Sequence, residues 1–126
     1  MQSCGDVVVE SGQDIRDRSF RYACDVAKLA LSLTRPGTRP ITDQLLKSGT
    51  SVGANLDQAK AASSRREFVR YVDIALREAR ESAYWLRICV ALELEPKAEI
   101  ERLRSEGQQI ARILGAIVVN TRSRGV

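Results

Sequence analysis

The chain has 126 residues, 44% hydrophobic and 29% charged, a length that buries about two-thirds of the unfolded surface in one domain without disulfide or metal support. Histidine is absent, which excludes an imidazole base, a Ser-His or Cys-His nucleophile and the usual mixed-ligand zinc site. Twenty basic residues, sixteen of them arginine, stand against sixteen acidic ones, and a surplus of +4 permits an anionic partner without demanding one.

Residues 1–13 mix Gly, Ser and acids around Val7–Val9 and read as a loose arm. From Asp14 the pattern turns helical, with Ile15, Tyr22, Val26, Leu29, Ala30 and Leu33 on one face. Asp14–Arg18, Asp17–Arg21 and Arg21–Asp25 place opposite charges one helical turn apart. Arg35-Pro36-Gly37, with Pro40 close behind, is a firm loop. The second helix is predicted over 41–62, with a seam of Leu45, Gly49, Val52, Leu56 and Ala59. Its middle, KSGTSVGANL, is poor in helix formers, so small residues here admit a close neighbour. A phosphate-cradling loop is the alternative, although no Walker lysine-serine pair follows the glycines.

Ser64 and Glu67 form a capping box that opens the third and longest helix. Phe68, Tyr71, Val72, Ala75, Ala79, Ser82, Leu86, Cys89 and Val90 make its core stripe. Pro96 marks the start of the last helix, on which Ile100, Leu103, Gly107, Ile110, Leu114 and Ile117 repeat by three and four. The predicted organisation is an all-α, antiparallel up-and-down four-helix bundle over 14–120 and a basic tail over 121–126. Cys4, Cys24 and Cys89 are odd in number and far apart, which reads as reduced thiols in a cytoplasm. No run approaches the ~18 apolar residues of a membrane span, and the opening valines are too few for a signal-peptide core. A cytoplasmic protein with no cofactor, metal or membrane partner is expected.

The run QLLKSGTSVGANLDQAKAASSRREFVRYVDIALREARESAYWLRI, residues 44–88, resembles small bacterial four-helix-bundle proteins. These were first noticed as products of intervening sequences inside large-subunit ribosomal RNA genes. IRDRSFRYACDVAKLALSL, residues 15–33, is similar to their first helix. The resemblance implies a barrel-like homopentamer of antiparallel bundles. It also implies kinship with the accessory variability determinant of diversity-generating retroelements, which binds a reverse transcriptase and nucleic acid. Most relatives have no assigned activity. Where they commonly carry a glutamate this chain has Gln58, with Asp57 beside it as a partial substitute.

Three constellations remain. Asn55 and Glu78 lie at the core edges of neighbouring helices, where a hydrogen-bonded pair would fix register. An acid-base site would want two carboxylates there. Arg66, Arg70, Arg77, Arg80 and Tyr84 fall opposite the core stripe of helix three. Arginine forks suit phosphate and a tyrosine suits a base, whereas Asp73–Arg77 and Arg77–Glu81 pairing would make a plain solvated face. Phe20, Cys24 and Leu31 form a second apolar stripe on helix one, and Ile74 and Trp85 flank the core of helix three. Such positions suit an oligomer interface. The expected function is a non-enzymatic oligomeric scaffold whose partner is RNA, DNA or a nucleic-acid enzyme such as a reverse transcriptase. The alternatives are an enzyme using Glu78 with nearby arginines, or a module for protein assembly alone.

Overall fold

The computed structural model describes residues 11–125, with side chains over 14–124. Four helices make up the described chain: α1 (Ser11–Leu33), α2 (Arg39–Lys60), α3 (Arg65–Ala91) and α4 (Lys97–Gly125). No strand occurs among the described residues. The predicted arm falls mostly on residues 1–10, outside the described residues, and α1 begins at Ser11, three residues before the expected start. The predicted tail at 121–126 is corrected over its described part: α4 runs on through it to Gly125. Within that stretch Thr121 and Arg122 line a groove with the start of α3.

Each helix boundary has a local cause. The Thr38 hydroxyl donates to the Leu33 carbonyl and accepts from the Arg35 amide, tying the end of α1 to the start of α2. Pro40 then sits in the first turn of α2, where an amide would have had no helical partner. At α3 the Ser64 hydroxyl accepts from the Glu67 amide, while the Glu67 carboxylate reaches back to the Ser63 amide. Glu93, at φ 57°, lets the chain leave α3 in the left-handed region, and α4 starts one residue after Pro96.

Consecutive helices joined by these short connections pack on one another and therefore alternate in direction. The ring closes where α1 meets α4, the sparsest of the four seams, and α1 and α3 stand diagonally opposed. Every seam position predicted on α1 and α2 is buried, as are all but Ile117 on α4. On α3 the predicted Val72, Ala75, Ala79, Ser82, Leu86 and Cys89 are buried, whereas Phe68, Tyr71 and Val90 are only partly buried against the core. Val69, Leu76 and Ala83 are buried as well because α4 covers that flank.

The small-residue stretch of α2 is unbroken helix, which removes the phosphate-loop alternative. The side chains of Ser48, Thr50, Ser51 and Asn55 all donate to carbonyls one turn earlier. Its glycines instead permit close packing on α1. A Cβ at Gly49 would lie 2.5 Å from Val26, and one at Gly53 would meet the Ser19 backbone at 3.6 Å. No described helix is long and apolar enough to cross a membrane.

Candidate nucleic-acid interface

The arginines divide between two environments. At the α1/α4 seam they are matched with acids. Arg18 donates from Nε and Nη2 to the two Glu106 oxygens at 2.6 and 2.8 Å, and from Nη2 to Gln109. Arg102 bridges Glu99 on its own helix and Asp25 on α1. The hydrogen bond from Arg18 holds the Glu106 carboxyl below the usual range against the opposing pull of burial, and Arg102 does the same for Glu99. These contacts draw Arg18 and Asp25 away from the local pairs expected for α1.

Between α3 and α4 lies a groove of about 580 Å³. Arg80, Tyr84 and Arg87 line one wall, Arg104, Gln108 and Arg112 the other, over a floor of Ala83, Ala111 and Gly115. No carboxylate lines it. Arg104 leans toward Glu101 at 3.7 Å. Arg80, Arg87 and Arg112 make no salt bridge or side-chain hydrogen bond among the described residues. Tyr84 is 53% exposed and meets Trp85 in a T-shaped contact, centroids 5.5 Å apart. The Trp85 indole donates to Glu81, which therefore faces tryptophan rather than the expected Arg77.

A second groove lies where α3 begins and α4 ends. Arg65, Arg66, Arg70, Arg77 and Arg122 surround it, with Asp73 the one carboxylate in the lining. Arg77 pairs with Asp73 at 3.3 Å, as the one-turn spacing predicts, and Arg70 lies over the Tyr71 ring. The five predicted residues are thus split: Arg66, Arg70 and Arg77 here, Arg80 and Tyr84 in the first groove. The α4 contribution was missed. Arg104, Gln108 and Arg112 recur every four residues and share a face, a signal present in the sequence. Their meeting with Arg80 and Arg87 depends on how α4 rotates against α3.

The Asn55–Glu78 pair does not form. Asn55 donates to the Ser51 carbonyl of its own helix. The hairpin reversing over residues 61–64 brings Lys47, two turns before Asn55, level with Glu78. Burial and then Glu81 push the Glu78 carboxyl up, while Lys47 opposes them. Glu78 lines neither arginine groove.

The apolar candidates occupy two faces. Phe20 and Cys24 line a groove of about 390 Å³ between α1 and α2 with Ala23, Ala27, Gly53 and Ala54. Phe20 and Leu31 are 67% and 68% exposed, large values for such side chains. Ile74 lies in the second arginine groove, and Trp85 packs partly against the core. Gln58 is exposed on α2, beside Asp57 at the rim of the α1/α2 groove. Cys89 is buried, which pushes its thiol up, and Cys24 is half-buried. No metal-binding group of three or more Cys, Asp or Glu occurs among the described residues.

With this geometry in view, residues 12–116 match the family of 23S rRNA-intervening sequence proteins. The fold is similar to the crystal structure of a protein of unknown function from the S23 ribosomal protein family of Bacteroides thetaiotaomicron. The two chains are 31% identical with a TM-score of 0.76, over 82% of this chain and 97% of the other. No match is found among curated proteins.

Proposed function

The chain belongs to the 23S rRNA-intervening sequence protein family, and from that premise we propose that it is a non-enzymatic, oligomeric binding protein whose α3/α4 face takes up nucleic acid. The observation that carries this reading is the groove in which Arg80, Arg87, Arg104 and Arg112 converge from two helices with no carboxylate in the lining. Arg104 keeps Glu101 as a distant partner, but Arg80, Arg87 and Arg112 have no counter-charge among the described residues, which raises the local potential and attracts a polyanion. Planar guanidinium forks then suit phosphate oxygens. A net charge of only +4 understates this face, because acids elsewhere neutralise arginines such as Arg18 and Arg102.

Oligomerisation strengthens such a contact by repeating it. A closed ring with an odd number of subunits joins unlike patches head to tail. The α1 stripe of Phe20, Cys24 and Leu31 and the α3 positions Ile74 and Trp85 lie on diagonally opposed helices, which supplies two unlike patches for the homopentamer that the resemblance implies. The resemblance to the accessory variability determinant, where it extends to this chain, would add a nucleic-acid enzyme, a reverse transcriptase, as a partner that an RNA-loaded ring serves.

Electrophoretic mobility shifts with RNA at several salt concentrations test the binding. A shift that weakens as salt rises is expected, and no shift at low salt ends the proposal. Sedimentation of Phe20→Asp tests the assembly: a smaller species is expected, and an unchanged one removes the α1 stripe from the interface.

A further inference from the structure

We infer that the α3/α4 groove takes a single strand rather than a duplex, with its arginines on the sugar-phosphate backbone and Tyr84 stacked on an unpaired base. This deepens the nucleic-acid reading and rests on it. Three observations meet in the one groove.

The first is unspent charge. Arg80, Arg87 and Arg112 are exposed and make no ion pair or side-chain hydrogen bond among the described residues, whereas Arg18, Arg77 and Arg102 are all paired. Their forks are available to phosphodiester oxygens without breaking an internal contact. The second is space. At about 580 Å³ the groove has the volume of a small-ligand cleft. That is room for a segment of about one or two nucleotides rather than for a large ligand. A Cβ at Gly115 would meet nothing within 4 Å, so the floor is open to close approach by a strand. The third is the aromatic. Tyr84 stands in the arginine wall, more than half exposed, and is steadied by Trp85, itself tethered to Glu81. Inside a duplex both faces of a base are covered by its neighbours, so stacking on Tyr84 selects a base that is unpaired.

The test uses the full chain at low salt with a labelled, unstructured RNA oligonucleotide, alone and annealed to its complement, read by fluorescence anisotropy. The single strand is expected to bind about tenfold tighter than the duplex. Tyr84→Ala should weaken single-strand binding by about tenfold, and Tyr84→Phe, which keeps the ring, should restore it. Arg87→Ala and Arg112→Ala should each weaken binding and flatten its salt dependence by about one counterion. Gly115→Glu sets a carboxylate in open space on the floor, so it should lose binding while keeping its circular dichroism spectrum. Trp85, the sole tryptophan, should change its emission on binding the single strand. Equal affinity for single strand and duplex, or unchanged binding by Tyr84→Ala, would overturn the single-strand inference and leave the nucleic-acid reading standing. Absence of binding to both RNAs overturns the two together.

Discussion

Helix α4 has two seams, one against α1 and one against α3, and they use the same residue types in opposite ways. Against α1, Arg102 on α4 and Arg18 facing it are locked to Asp25, Glu99 and Glu106. Against α3, Arg112 and its neighbours across the groove meet no acid. The two glycines repeat the contrast. A Cβ at Gly107 would lie 2.5 Å from the Tyr22 hydroxyl, whereas one at Gly115 would touch nothing. Tyr22 is almost wholly buried, shares a 2.7 Å hydrogen bond with Ser82 across the core, and is pushed up to about 12 chiefly by burial. The α1/α4 seam, the sparser of the two, thus matches its charges and makes a close approach at Gly107, whereas the more extensively packed α3/α4 seam carries a surface groove in which Arg80, Arg87 and Arg112 stay unpaired among the described residues. An arginine count cannot distinguish these uses. Partnership does.

The sharpest way to break the comparison is to give each glycine a methyl group. Gly107→Ala should destabilise the fold by about 2 kcal/mol, because the Tyr22 hydroxyl it strikes is fixed in the core and the gain in helix propensity only partly offsets the strain. Gly115→Ala should be neutral or stabilise by up to about 1 kcal/mol. Denaturant midpoints measure both. Adding Tyr22→Phe should recover part of the Gly107→Ala loss, and strict additivity of the two changes would show that the hydroxyl is not the obstacle.

A smaller effect comes from the ions. Glu106→Gln removes a bidentate partner from Arg18, and since both side chains keep some solvent the loss should be about 1 kcal/mol at neutral pH. Arg112→Ala, with no partner to abandon, should stay within about 0.5 kcal/mol of the parent. Comparable losses in the two variants, measured in urea, would erase the distinction between the seams.

The smallest effect is in pH dependence. Glu106 and Glu99 are held below the usual carboxylate range, so their contributions are complete above the unfolded value and are lost as pH falls through the lowered folded one. Glu78 is raised and acts in the opposite sense: its contribution is complete at acid pH and is lost as pH rises through its folded value. Unfolding free energies between about pH 6 and pH 2.5 should therefore fall less steeply in Glu106→Gln than in the parent. Glu78→Gln should steepen the fall, and Arg87→Ala should leave the slope as it was. A parent slope retained in Glu106→Gln would assign the acid sensitivity elsewhere.

Much of this was legible in the sequence because it is local. Helix periodicity put Tyr22, Val26, Val52, Leu86 and Leu114 in the core, and Ser64 with Glu67 marked where α3 begins. The one-turn pair Asp73–Arg77 also formed. Apart from the tail, which α4 runs through, and Glu81, which takes Trp85 instead of Arg77, the predictions that failed concerned contacts between helices. Asn55 and Glu78 each sit at a core edge, but the α2–α3 register sets Lys47 opposite Glu78 instead. Arg18 has Asp14 one turn before it on its own helix and still goes to Glu106 on α4.

The sequence by itself determined four helices, which face of each is apolar, and that this chain carries many arginines and no histidine. These follow from backbone period and side-chain chemistry, properties that each segment holds alone. The tertiary structure decided which arginines are spent and which stay available. That outcome depends on the rotation and axial register of α4 between α1 and α3, which summed core packing sets and no single segment encodes.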